Sequence, residues 1–178
     1  MSKIIEFGPE GRNKLVKGID TLADAVVSTL GPNGRNVVIE KDHQQVQSTK
    51  DGVTVARHIS LKDPVENLGV NLVREASIKT ADKAGDGTTT STLLAREMIK
   101  EGLQHLTNGA NAVDIKRGID NAVNTVRKTL RENIAEDISE EGQLEQVATI
   151  SANNDPEVGK LIATAIDKVG HEGVVHIE

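Results

Sequence analysis

The sequence predicts a mainly α-helical fold carrying one small β-hairpin, followed by the start of an α/β segment. Three observations carry this. Apolar residues recur at three- and four-residue steps, the period of one helix face, from about Pro9 to Leu30, Pro64 to Ala84, Thr88 to Leu106 and Asn111 to Ile134. Two short extended pieces, Val37–Ile39 and Val46–Thr49, flank a polar run from Lys41 to Gln45 and read as a hairpin. At Glu132-Asn133-Ile134-Ala135-Glu136-Asp137 the chain turns acidic and the long-helix rhythm stops, which places a domain boundary between residues 1–132 and 133–178.

Taken in order, residues 1–7 form a short extended arm in which Ile4 or Ile5 alternates with Phe7, ended by Gly8-Pro9. The first helix presents Leu15, Ile19, Leu22, Val26 and Leu30 on one face, and Gly31-Pro32 stops it. Thr29 to Asn36 is too rich in Gly, Pro and Asn for regular structure. The hairpin makes a sheet edge suited to a neighbouring subunit, although a solvent-facing hairpin accounts for it equally well. Lys50-Asp51-Gly52 then forms a turn. Asp63 caps the second helix with Pro64 at its first position, and Val65, Leu68, Leu72 and Ala76 are expected inward. Asn108-Gly109 ends the third helix, and the fourth carries Ile115, Ile119, Ala122 or Val123, Val126 and Leu130 as its stripe. Beyond the boundary, Ser139 is expected to cap a helix through about Ile150. Asp155-Pro156 starts another with Leu161, Ile162, Ala165, Ile166 and Val169 inward, Gly170 ends it, and Gly173–Glu178 begins a strand.

Composition narrows the function. The 178 residues are 37% hydrophobic but only 1% aromatic, with Phe7 alone, so the core is built of Val, Ile, Leu and Ala and no aromatic platform exists for stacking bases. A formal net charge of −6, from 21 Lys+Arg against 27 Asp+Glu, argues against nucleic acid or an anionic membrane as partner. Cysteine is absent, which removes disulfides, thiolate metal sites and thiol nucleophiles and suits a cytoplasmic setting. No run of about 18 apolar residues and no signal-like start occurs. The histidines are scattered without zinc-type spacing, and there is no Gly-x-Ser-x-Gly elbow.

Ala84-Gly85-Asp86-Gly87-Thr88-Thr89-Thr90 stands apart from this background. Gly85 and Gly87 allow positive φ and close ligand approach, and the Asp86 carboxylate suits a divalent cation. Thr is a poor helix former, so three in a first turn make sense where their hydroxyls and the unpaired first-turn N–H groups bind phosphate oxygens. A plain loop-to-helix junction with Asp86 as N-cap is the alternative at this point. Neither a Walker loop nor a Gly-x-Gly-x-x-Gly fingerprint is present.

Three separated stretches together, Thr29-Leu30-Gly31-Pro32-Asn33-Gly34-Arg35-Asn36-Val37-Val38, Lys50-Asp51-Gly52-Val53-Thr54-Val55-Ala56 and Ala84–Thr90, resemble the group I chaperonins of the bacterial GroEL type. Asp114–Asp120 and Thr149–Asn153 extend the resemblance over nearly the whole chain. It implies an equatorial ATP-binding and ring-contact domain over 1–132 and the first part of a hinge-like intermediate domain over 133–178. It further implies that Thr29, Leu30, Gly31, Pro32, Lys50, Asp86, Gly87, Thr88, Thr89 and Thr90 contact the nucleotide. Asp86 would ligate Mg²⁺, K⁺ would bind nearby, and Asp51 would be the catalytic carboxylate that orders the attacking water. The partners implied are unfolded proteins, a co-chaperonin and other copies of the chain in a homo-oligomeric double ring. Family members continue into an apical domain and return to complete the nucleotide pocket, and Asn33 stands where they usually have Lys. The function expected is ATP-driven protein folding; a ring or scaffold protein that does not hydrolyse ATP is the alternative.

Overall fold

A computed structural model describes residues 3–41, 45–138, 142–170 and 173–175. The elements are α1 (Gly8–Val27), β1 (Val37–Glu40), β2 (Val46–Thr49), α2 (Gly52–His58), α3 (Pro64–Ala84), α4 (Thr88–Thr107), α5 (Ala112–Thr129), a π-helical turn at Leu130–Ile134, α6 (Gln143–Ser151) and α7 (Pro156–Val169). The chain divides into two compact units, residues 1–117 and 118–178. Among the described residues no helix is long and apolar enough to cross a membrane.

Helix limits follow local chemistry. Phe7 is extended (φ −127°, ψ 160°), and Pro9 supplies a preset φ in the first turn of α1. α1 stops at Val27, short of the expected Leu30, because the N–H groups of Thr29 and Leu30 bond the carbonyls of Val26 and Val27 in tighter three-residue turns. Asp63 Oδ1 accepts the N–H groups of Val65 (2.8 Å) and Glu66 (3.1 Å), which caps α3. Those two donors, Glu66's first, hold the Asp63 carboxyl below its ordinary pKa. Asp155 caps α7 in the same way, through Glu157 and Val158.

In the first unit α1 packs against α3 and α4, with α2 and the hairpin beside them. Ile19, Leu22, Val26, Ile39, Val55, Ala56, Val70 and Val73 make one buried cluster without an aromatic ring. The antiparallel hairpin pairs Val37 with Thr49 and Ile39 with Gln47, so Ile39 turns inward while Val38 and Val46 face solvent.

The buried face of α3 differs from the expected one. Val65, Gly69, Val70, Val73 and Ser77 are inside, whereas Leu68 and Leu72 are each 56% exposed. Close contact with α1 decides this. A Cβ on Gly69 would overlap the Leu15 carbonyl oxygen and lie 2.9 Å from its carbon; a Cβ on Gly18 would overlap the Glu66 carbonyl and lie 2.7 Å from that carbon. Two backbones that near each other must meet through glycine, and the larger Leu residues are turned away. Lys17 closes the same crossing with an ion pair to Glu66 (2.5 Å), and Arg96 on α4 pairs with Asp24 on α1 (2.6 Å).

In the second unit α6 and α7 pack together through small residues. Ala148, Gly159 and Ala163 are buried, and a Cβ on Gly159 would stand 2.7 Å from Thr149 Cα. The expected stripe on α7 is corrected accordingly: Ile162, Ala165 and Ile166 are half-buried, but Leu161 is 71% exposed and Val169 is exposed. The Ser139 cap falls outside the described residues. Of the expected terminal strand, 173–175 carry no regular structure and 176–178 lie outside the description.

Gly18→Ala is expected to lower unfolding free energy by about 1–3 kcal/mol or more, since the added methyl meets backbone. Gly118→Ala, where nothing lies within 4 Å of the added carbon, serves as the control and should be neutral or stabilising. Chemical denaturation of both variants measures the difference, and equal midpoints would contradict the close α1–α3 crossing.

Candidate functional site

The three sequence motifs meet at the N-terminus of α4. Its first turn follows two glycines in left-handed conformation, Gly85 (φ 76°) ending α3 and Gly87 (φ 84°) serving as N-cap of α4. Asp86 is therefore not the helix cap; its Oδ1 accepts the N–H of Gly87 at 2.6 Å, and its side chain stands on the exposed corner. The first intrahelical bond runs from the Ser91 N–H to the Gly87 carbonyl, so the N–H groups of Thr88, Thr89 and Thr90 precede the ladder. Thr88 is buried, Thr89 half-buried and Thr90 exposed. A 20-residue helix directs its positive end here.

The Thr29–Pro32 turn reaches the same corner. Thr29 Oγ1 donates to the Val26 carbonyl at 2.7 Å and lies 3.3 Å from Thr89 Oγ1. Gly31 has φ 72°, and the Gly34 N–H bonds its carbonyl at 2.9 Å, which leaves Leu30, Gly31 and Pro32 exposed on the rim.

Asp51-Gly52 forms the third side. The segment is not only a turn, as the sequence suggested, but the start of α2, seven residues with Asp51 as N-cap. Gly52 is buried against α4: a Cβ there would overlap Thr89 Oγ1 and stand 3.1 Å from Thr88 Oγ1 and 3.2 Å from the Thr89 backbone nitrogen. Asp51 Oδ2 accepts two bonds, from the Thr54 N–H at 3.0 Å and from the Thr54 hydroxyl at 2.5 Å. The other end of α2 is fixed from α3, where Arg74 Nε donates to the Ala56 carbonyl at 2.9 Å and an Arg74 Nη donates to the Ile59 carbonyl. Lys50 is exposed between β2 and Asp51.

The arrangement offers unladdered amides, threonine hydroxyls, glycines that leave no Cβ in the way and two carboxylates around one helix start. That set fits oxyanions held with a divalent cation. Among the described residues no group of three or more His, Cys, Asp or Glu could cage a metal, so a cation at Asp86 would take its remaining ligands from phosphate oxygens and water.

The TCP-1/cpn60 chaperonin family model matches residues 22–177. The chain belongs to this family. Among solved chaperonins, gp146 from the bacteriophage EL 2 (Pseudomonas aeruginosa), crystallised in the presence of ATP-BeFx, is 30% identical. In its two crystal forms it aligns with TM-scores of 0.75 and 0.76, over 94% and 96% of this chain. A group III chaperonin in the open state, 23% identical, shares the fold with a TM-score of 0.73 over 89% of this chain. The chain spans 30–32% of the length of these structures. The chaperonin fold thus accounts for the mainly helical first unit and its small hairpin.

Sequence reasoning did not single out Thr54 or Arg74. Asp51 and Thr54 have the three-residue spacing of a cap and the amide it serves, a signal that could have located α2. Arg74 gives no such signal, because its partners are backbone carbonyls 15 and 18 residues away.

Gly52→Ala is expected to cost about 1–3 kcal/mol in stability and to push α2 off the threonine turn. Hydrogen exchange should show faster exchange of the α2 amides with α1 and α3 little changed, and unaltered α2 protection would refute the contact.

Proposed function

We propose that this chaperonin chain is part of an ATP-dependent protein-folding subunit of the group I type, which binds and hydrolyses ATP to drive conformational cycling around non-native proteins. The supporting observation is the meeting of Thr29, Asp51-Gly52 and Gly87–Thr89 at one helix N-terminus. In this reading the phosphates lie on the amides and hydroxyls of Thr88, Thr89 and Thr90, while Thr29, Leu30, Gly31 and Pro32 border the nucleotide and Lys50 adds a nearby cation. Mg²⁺ held by Asp86, with K⁺ close by, would neutralise phosphate charge. Asp51 orients the attacking water for in-line displacement at the γ-phosphate.

Residues 1–132 then constitute the equatorial domain, and 133–178 begin the intermediate domain. The π-helical turn at Leu130–Ile134 and the extended Ala135 lie at that proposed join. Nucleotide biases the hinge through its different affinity for the alternative positions of that domain. Ile4, Ile5 and Phe7 of the arm and Val38 and Val46 of the hairpin are exposed apolar residues, which favours a contact between copies in a homo-oligomeric ring. Unfolded proteins and a co-chaperonin are the partners of the whole protein in this reading, and its setting is cytoplasmic.

Asp86→Ala should abolish Mg²⁺-dependent ATP binding in calorimetry while leaving the helical circular dichroism intact. Retained Mg²⁺-dependent affinity would overturn the assignment.

The 178 residues alone should bind ATP weakly and release phosphate at least about 10²-fold more slowly than a complete chaperonin, because they span only 30–32% of the length of the chaperonin structures they match and catalysis by positioning needs its whole constellation. Phosphate release with Mg²⁺ and K⁺, using Asp51→Ala as blank, measures it. Full turnover lost in the Asp51 variant would show that these residues suffice.

A further inference from the structure

The geometry points to Thr54 as the positioning residue for Asp51: its hydroxyl fixes one carboxylate oxygen so that the other is presented for work. This rests on the reading of Asp51 as the water-orienting group. Both bonds described for the carboxylate arrive at the same atom, Oδ2, from the N–H and the hydroxyl of Thr54. The amide bond is the ordinary helix cap, and any residue at 54 except proline could supply it. The hydroxyl bond, at 2.5 Å, depends on Ser or Thr. Two donors on one oxygen set both the rotation of the carboxylate about its Cβ–Cγ bond and the division of labour between its oxygens. Oδ2 anchors and Oδ1 is left to accept from water.

The anchor is itself rigidly seated. Gly52 lies against the Thr88 and Thr89 hydroxyls, Val55 and Ala56 are buried in the core, and Arg74 holds the carbonyls at the far end of α2. With both ends of the helix held, the Asp51 side-chain torsions are the freedom left at this carboxylate, and the Thr54 hydroxyl restricts them further than the capping amide does alone. A group positioned for attack loses much of its effect when displaced by about an ångström.

The test is steady-state ATP hydrolysis by the intact protein carrying Thr54→Val, Thr54→Ala, Thr54→Ser or Asp51→Ala. Val keeps the shape and the capping N–H but not the hydroxyl, and Ala and Ser differ from each other by that oxygen alone. The expected result is a kcat lowered about tenfold or more in Val and Ala, KM and thermal midpoint little changed, and Ser close to the parent. Val and Ala turning over within about twofold of the parent while Asp51→Ala is inactive would overturn the role of Thr54 and leave that of Asp51 standing. An active Asp51→Ala would remove both. Should Val fail to fold, the Ala and Ser pair decides alone, since a purely structural effect would appear as a shared loss of thermal midpoint instead of a split in kcat.

Discussion

Close approach of backbones without an intervening Cβ is the constraint on which this molecule depends. With one aromatic residue in the chain, helices have no large flat side chains to fill the space between them and must come near enough for Val, Ala and Gly to do so. At Gly18 and Gly69 the helices α1 and α3 meet almost backbone to backbone, and Gly159 does the same for α6 and α7. Burial of each Val, Ile or Leu in the first-unit cluster contributes about 1.5–3 kcal/mol, but only if the glycines let the surfaces close. Dispersion falls off within an ångström, so a crossing held open by one methyl would weaken every contact along it.

The same device builds the site. Gly52 seats the start of α2 on the threonine hydroxyls of α4, as Gly18 seats α1 on α3. For the proposed function the consequence is that Asp51, a residue on an exposed corner, inherits its position from the core through Val55 and Ala56. Arg74 completes this by giving the terminal carbonyls of α2 charged donors, which a short helix needs because most of its carbonyls lack an internal partner.

How much of this the sequence disclosed follows from what each signal measures. Caps and stops are local chemistry, so α3 from Pro64 to Ala84 and α7 from Pro156 to Val169 were legible to the residue from Asp63-Pro64, Asp155-Pro156 and Gly170. Faces were less so. Periodicity counts Leu68, Leu72 and Leu161 as core candidates and scores glycine as neutral, whereas the contact is chosen by the glycines and the leucines are left outside. α2 spans two turns, too few for a period to emerge. The site motifs were legible as resemblance and as helix-start chemistry, but their meeting depends on tertiary distances between Thr29, Gly52 and Thr89 that no local pattern encodes.

The threonines of α4 show where local helix rules and the proposed function diverge. Three β-branched residues at the start of a helix each lose side-chain freedom, and Gly87 as cap supplies no side-chain acceptor. A helix selected for stability alone would place Ser or Asp at the cap and Glu within the first turn. Those acidic groups would repel phosphate from the amides they satisfy. Leaving the first-turn amides without a capping side chain, with hydroxyls that can accept or donate, keeps the helix end available to an anion even in a chain of net charge −6. The burial of Thr88 and of Thr92, which bonds the Thr88 carbonyl at 2.8 Å, anchors that turn from beneath. The weakness is thereby confined to the surface where an oxyanion would bind.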